Sequence, residues 1–328
     1  MSDSTPTTVD AGRAPLDRRA LGLALTRIAN AGAAGVPTGA EAGGATSAAL
    51  GIRPAPAQAR RIGITGAPGA GKSTLAGRLA LSRIDRGRLG ILAIDPTSPK
   101  TGGAILGDRI RMDDLAGSEN LYIRSFGSRS AADGLTDNLH ELLETMDEHG
   151  FDEVIVETVG VGQAELAARS QVDTLILVIP PDAGDVVQAM KAGIMEIADV
   201  FAINKADMPS AMKMASEVKR IMALTHRGGL AAGDWMPPVV LTSQSNPDSI
   251  AELSAQVDRH YEWLRVTGRL GTQIVARRKY RLRRWIERTV QQIIDAQPVA
   301  FFELPQREQM SALLQQLSDP RSTRGAAP

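Results

Sequence analysis

The eight residues Gly66-Ala67-Pro68-Gly69-Ala70-Gly71-Lys72-Ser73 constrain this chain more than any other stretch. They match G-x-x-x-x-G-K-[ST] and lie between an apolar run, Arg61 to Thr65, and a helical one through Leu75 to Leu81. Such a loop joins a strand to the start of a helix. Its backbone N–H groups turn inward to form an anion nest, and side chains at the glycine positions would block the phosphates. Lys72 brings a mobile positive charge to the outer phosphates, and the Ser73 hydroxyl is a hard oxygen ligand for Mg²⁺. The helix that opens through Ser73 and Thr74 adds the favourable potential of its dipole. These residues predict a phosphate-binding loop over Gly66 to Thr74, with Lys72 as its catalytic cation.

The remaining pattern agrees with that start. Short apolar runs recur at Leu89 to Ile94, Glu153 to Val156, Thr174 to Ile179, Val200 to Ile203 and Val239 to Leu241, separated by helical stretches. Strands apolar nearly throughout belong to a sheet covered on both faces, so the class is α/β with a doubly wound, mainly parallel sheet. Each run ends at a polar residue or turn, where ligands bind in such folds. Upstream, Leu16 to Asn30 carries apolar residues at helical spacing, and Ala31 to Ala59 shifts to Ala, Gly, Pro and Thr, which reads as a linker. Beyond Asp258, Tyr261 to Val266 and Ala276 to Ile294 read as helix. The expected division is therefore residues 1–59 as helical arm and linker, 60–258 as the nucleotide domain and 259–328 as a helical extension. Ser318 to Pro328 is expected to fray.

Composition narrows the partners. Thirty-seven basic residues balance thirty-seven acidic ones, so no net field draws the chain to nucleic acid or anionic lipid. Between Arg265 and Arg288, nine of 24 residues are Lys or Arg, which reads as the solvated face of a helix packed on another subunit, not a nucleic-acid site. Cysteine is absent, and His140, His149, His226 and His260 never fall at metal-ligand spacing, which excludes disulfides, thiolate nucleophiles and thiolate-held metals. The longest apolar run, near Leu175 to Ile179, is far too short for a membrane span. The opening M-S-D-S-T-P-T-T-V-D-A-G lacks the charged and apolar parts of a secretory signal, so a cytoplasmic location is expected.

Two further constellations give the loop a chemistry. Asn204-Lys205-Ala206-Asp207 follows the run Val200 to Ile203. At a strand end, the Asp207 carboxylate accepts from the ring N–H and amino group of guanine, whereas adenine offers no such donor pair and leaves it unpaired. Three carboxylates, Asp95 in D-P-T-S-P, Asp108 in G-G-A-I-L-G-D-R-I-R-M and Glu157 in E-T-V-G-V-G-Q-A-E, lie after or between strands. With Ser73 they are the candidate Mg²⁺ ligands, directly or through waters. The glycine-rich run after Glu157, including Gly160, lets backbone approach the terminal phosphate. Asp108, Glu157 and Gln163 are candidates to position the attacking water, and no arginine plainly completes the site, so slow turnover accelerated by a partner is expected.

Taken together, these segments resemble the MeaB/ArgK-type P-loop GTPases, G-protein chaperones of adenosylcobalamin-dependent acyl-CoA mutases. The resemblance rests on D-R-R-A-L, G-I-T-G-A-P-G-A-G-K-S-T, D-P-T-S-P, G-G-A-I-L-G-D-R-I-R-M, V-E-T-V-G-V-G-Q-A-E, A-G-D-V-V-Q-A-M-K-A-G-I-M-E-I-A-D and I-N-K-A-D, which span most of Arg61 to Asp207. It implies a SIMIBI-like G domain that binds GTP, GDP and Mg²⁺, a homodimer formed through the carboxy-terminal helices, and a role in loading, protecting and reactivating a mutase. It also implies nucleotide contacts from Gly160 and Ser243, metal roles for Asp95, Asp108 and Glu157, and switch roles for Arg111, Asp185 and Lys191. The client is methylmalonyl-CoA mutase or a hydroxyisobutyryl-CoA-type relative. The second enters because Ile123 to Leu135 departs from the usual T-R-G-x-L-G-G loop and the linker replaces helical sequence before the phosphate loop. Rival readings are a nickel-insertion GTPase, which calls for Cys or His clusters, a protein-targeting GTPase, which calls for a helical bundle, and a transport-linked kinase, against which N-K-A-D argues.

Overall fold

Seven strands share one sheet because their side chains need burial on both faces. The computed structural model describes residues 14–30, 58–96, 118–128, 138–158, 169–182, 197–225 and 233–318, except the side chains of Asp95, Pro96, Ser128 and Thr225. The strands are β1 (Arg60–Gly66), β2 (Leu89–Pro96), β3 (Leu121–Ser128), β4 (Glu153–Glu157), β5 (Thr174–Ile179), β6 (Val200–Ile203) and β7 (Val239–Leu241). Every pairing is parallel, in the order β3-β2-β4-β1-β5-β6-β7. The chain goes to one side of β1 for β2 and β3, fills the gap with β4, and continues on the other side. The reversal leaves a crevice above the C-terminal end of β1.

The described helices are α1 (Arg18–Asn30), α2 (Lys72–Leu81), α3 (Leu139–Glu148), α4 (Ala211–Thr225), α5 (Pro247–Val266), α6 (Arg269–Asp295) and α7 (Gln306–Ser318). Leu75 and Leu79 of α2 and Leu253 and Val257 of α5 pack on one face of the sheet with Ile62, Ile64, Ile155 and Val178. On the other face, α1 and α3 cover Leu92, Val154 and Leu175, and α4 covers Leu177, Phe201 and Ile203. Burying each such side chain contributes about 1.5–3 kcal/mol.

Three features differ from the linear reading. β3 was not among the expected strands. It lies at the sheet edge, where alternating Tyr122, Arg124 and Phe126 replace a solid apolar run. The helix expected as an arm ahead of the nucleotide domain is packed into it. Leu21 and Leu25 are fully buried, Arg124 donates to the Gly22 carbonyl (2.8 Å) and the Thr26 hydroxyl (2.7 Å), and Arg18 donates to the carbonyls of Ser118 (2.6 Å) and Leu121 (2.8 Å). Finally, the expected border at Asp258 falls inside α5, which runs unbroken from Pro247 to Val266 along the sheet. Of the linker only its last residues, from Gln58, lie among those described.

Helix α6 has its polarity reversed. Its buried residues are Arg277, Thr289 and Ile293, while Val275, Leu282, Trp285 and Ile286 are exposed. Charge holds it to the sheet domain. Arg277 pairs with Asp173 (2.5 Å), Arg281 with Glu144, and Arg288 donates to Glu141 (2.7 Å) and Asn138 (2.7 Å). The basic run is thus divided, since Arg277 and Arg288 turn inward and Arg281 bridges to Glu144 at the surface, rather than all forming one solvated face. The N-terminal ends of the strands carry more such pairs: Arg61 with Asp147 (2.8 Å), Arg83 with Glu153 (2.5 Å), and Arg60 (2.6 Å) and Arg86 (2.6 Å) with Asp258. No described helix is long and apolar enough to cross a membrane.

Candidate nucleotide-binding site

The crevice above β1 is a cleft of about 660 Å³ lined by Pro68, Gly69, Gly71 to Leu75, Glu157, Thr158, Asn204, Lys205 and Asp207 among others. That volume suits a small-molecule ligand.

Its floor is the turn from β1 into α2. Gly66 has φ +143°, and a Cβ there would stand 2.1 Å from the Val178 carbonyl oxygen of the neighbouring strand. Gly71 caps α2 in the left-handed region at φ 86°, and a Cβ there would meet the Asn204 amide at 2.5 Å. Helix α2 has no side-chain cap and no acidic residue in its first turn, so its leading N–H groups remain directed at a ligand. Lys72 folds back on its own loop, donating to the carbonyls of Gly66 (2.9 Å) and Ala67 (3.1 Å). Both are weak neutral acceptors that a phosphate oxygen outcompetes by charge.

The wall at the end of β4 supplies the acid. The Ser73 hydroxyl donates to Glu157 Oε1 (2.6 Å), and both residues are buried. Beside them the Thr158 hydroxyl donates to Thr65 (3.0 Å). Ala93 of β2 pairs in register with Glu157, and the backbone of Asp95 follows two residues on, at the same edge. Ser73 and Glu157 together are hard oxygen donors, as Mg²⁺ requires, and they already touch. Among the described residues no group of three or more His, Asp or Glu forms a metal cage.

The far wall reads a base. Lys205 is the positive-φ non-glycine residue of the described chain, at φ 55°, and its ammonium donates to the Gly69 carbonyl (3.0 Å). The Asn204 amide donates to Ala70 O (2.8 Å) and accepts from the Thr242 hydroxyl (3.2 Å). These bonds bolt the Asn204 to Asp207 segment onto the phosphate loop. The Ser243 hydroxyl donates to Asp207 Oδ1 (2.8 Å), which aims the carboxylate and holds it below the usual carboxylate range. Asp207 therefore stays ionised at neutral pH, as an acceptor for two N–H groups must.

The structure thus brings together Gly66 to Thr74, Glu157, Asn204, Lys205, Asp207 and Ser243. Asp108, Arg111, Gly160, Gln163, Asp185 and Lys191 lie outside the described residues, as does the side chain of Asp95. Seven lining residues, Leu75, Arg78, Ile94, Thr158, Met208, Gln244 and Ile250, were not anticipated as site residues. Thr158 and Gln244 stand just past β4 and β7, so their place at strand ends was the available signal.

A parallel sheet with a phosphate loop after β1 and a base-reading N-K-x-D segment after β6 defines a P-loop GTPase. The chain belongs to the MeaB family: the model described as "Methylmalonyl Co-A mutase-associated GTPase MeaB" matches residues 38–299. A Pyrococcus abyssi protein named as a GTPase is 44% identical over 220 residues, 67% of this chain and 68% of that protein. GTPase ArgK of Escherichia coli is 37% identical over 211 residues, 64% of each chain. The mouse mitochondrial methylmalonic aciduria type A homolog is 32% identical over 237 residues, 71% of this chain and 55% of that protein. The crystal structure of an LAO/AO transport system kinase superposes with TM-score 0.58 at 24% identity, covering 93% of this chain and all of that one, and shares its fold.

Proposed function

We propose that this chain is a Mg²⁺-dependent GTPase that assists cofactor loading, protection and reactivation of an adenosylcobalamin-dependent acyl-CoA mutase. The observation that carries the nucleotide part is the convergence, in one cleft, of the Lys72 loop, the Ser73–Glu157 contact and the Ser243-aimed carboxylate of Asp207. Asp207 selects guanine through its N–H edge. Lys72 leaves its two carbonyls for the outer phosphates, and the first-turn N–H groups of α2 bind the remaining oxygens. Ser73, with Glu157, Asp95 and Asp108, would hold Mg²⁺, which neutralises charge on the β- and γ-phosphates when bound. Asp108, Glu157 and Gln163 are the candidates for orienting the attacking water.

The mutase role is supported by family membership and by the name of the mouse relative. Arg111, Asp185 and Lys191 are the residues through which nucleotide state would reach the mutase. We also propose a homodimer. The outward apolar residues of α6, with exposed Phe302 and Leu304 beyond it and Met310 and Leu314 of α7, supply a surface that a second copy would cover.

Steady-state GTP hydrolysis, with the chain alone and with each adenosylcobalamin-dependent acyl-CoA mutase of its source, tests this reading. Slow turnover accelerated by one mutase identifies the client. Tight GTP binding with no acceleration by any of them refutes the chaperone role. For the dimer, Leu282→Asp with Trp285→Asp should give monomers in sedimentation, and unchanged mass would place the contact elsewhere.

A further inference from the structure

The hydroxyl of Ser243 that aims Asp207 is itself held. Residues Ser243 to Asn246 fold into a tight turn, in which the Asn246 N–H donates to the Ser243 carbonyl (3.1 Å) and the two residues form an isolated antiparallel bridge. The turn brings Ser245 back onto Ser243, with its hydroxyl 2.8 Å and its N–H 3.3 Å from Ser243 Oγ. Helix α5 secures the base of the turn. The Ser249 oxygen, in its first turn, accepts from the Ser243 N–H (3.0 Å), and its hydroxyl donates to the Asn246 carbonyl (2.6 Å). Asn246 in turn caps the helix by accepting from the Asp248 N–H (3.1 Å).

Proton counting fixes the direction of these bonds. A serine hydroxyl has one proton and two lone pairs, and an ionised carboxylate only accepts. The Ser243 proton therefore goes to Asp207 Oδ1 (2.8 Å), and in the contact between the two serine hydroxyls Ser245 must be the donor. The hydroxyl and N–H of Ser245 then occupy both lone pairs of Ser243 Oγ, which leaves its O–H a single direction, toward Asp207. Each bond of such a chain polarises and strengthens the next.

We propose that Ser245 is a positioning residue for base recognition, acting through Ser243 to fix the hydroxyl that aims the Asp207 carboxylate at the N1/N2 edge of guanine. The proposal rests on the nucleotide assignment above. Asp207 is exposed, so its aim depends on hydrogen bonding more than on packing. Guanine presents two N–H groups side by side, and meeting both requires both carboxylate oxygens near the plane of the ring. A base with the N1 donor alone tolerates a turned carboxylate. Ser245 thus matters most for the second donor, on N2.

Calorimetric titration of the full chain with GDP, with inosine diphosphate (IDP), which lacks the N2 amino group, and with ADP tests this. For Ser245→Ala the expected result is about a three- to ten-fold loss of GDP affinity with a smaller loss for IDP, so that the preference for GDP over IDP shrinks. Ser245→Thr keeps the hydroxyl and should restore that preference. In a Ser243→Ala background Ser245→Ala should change nothing further, because the group it acts through is gone. An unchanged ratio of GDP to IDP affinity, equal losses for the two, no restoration by threonine, or losses that add in the double variant would each overturn the assignment. If the unsubstituted chain does not prefer GDP to ADP, the guanine reading itself fails, which separates the two failures.

Discussion

Both edges of the sheet carry polar residues and do opposite things with them. At the N-terminal edge, Arg61 faces Asp147, Arg83 faces Glu153, Arg277 faces Asp173, and Asp199 accepts from Leu175 N–H (2.7 Å) with Arg169 (3.1 Å) and His260 (3.3 Å) beside it. At the C-terminal edge, Lys72 rests on two neutral carbonyls, the first turn of α2 is uncapped and Asp207 is aimed outward by one hydroxyl. One edge is closed on itself and stabilises; the other keeps bonding capacity in reserve and binds. Polarity alone does not mark a site. What marks it is a charged group whose present partners are weaker than the ones a ligand would bring.

Substitutions at the two edges should therefore separate stability from binding. The largest effect is expected at the closed edge. Asp173→Ala strands buried Arg277 and should lower unfolding free energy by about 3–5 kcal/mol in urea titration, with the GDP affinity of the folded fraction retained. Loss of affinity in the folded fraction would mean that the edges are coupled. At the open edge, Lys72→Ala should cut phosphate release at least a hundredfold, on the order of 3 kcal/mol, while the melting temperature barely moves. Asp207→Ala should erase roughly a hundredfold of the preference for GTP over ATP in competition binding, again with stability intact.

The smallest effect is one of pH. Burial pushes His260 down to about 3, so its contribution is complete above about 6.5, the value of an unfolded imidazole, and is lost as pH falls toward 3. Burial pushes Asp199 up to about 6, so its contribution is present below an unfolded value near 3.8 and lost as pH rises through 6. Between pH 4 and 6 the two slopes oppose. His260→Asn leaves only that of Asp199, and urea midpoints of the variant should rise relative to the unsubstituted chain as pH drops from 6 to 4. A parallel pH course for both chains would remove the pair from the argument.

How legible all this was in the sequence followed the same division. The phosphate loop and the runs at Thr174 to Ile179, Val200 to Ile203 and Val239 to Leu241 could be read directly. A glycine pattern and a solid apolar run are local signals with local causes. Strand β3 escaped because Arg124 and Ser125 interrupt its apolar pattern. The periodicity of α1 showed a helix but not its berth, which depends on side chains about 100 residues away. Arg277 read as one more charge on a basic helix, since a buried ion pair and a solvated one look alike until Asp173 is beside it.

The berth of α1 has a consequence for the order of synthesis. Leu21 and Leu25 leave the ribosome well ahead of the surface that covers them, with Tyr122, Phe126, Leu142 and Met146, which is made more than 90 residues later. At about 5–20 residues per second that delay lasts roughly 5–25 s, and the apolar stripe of α1 stays uncovered throughout. Helix α1 finds its place only once that later surface exists, and the nascent chain needs shielding for a stretch fixed by the length of sequence between a helix and its bed.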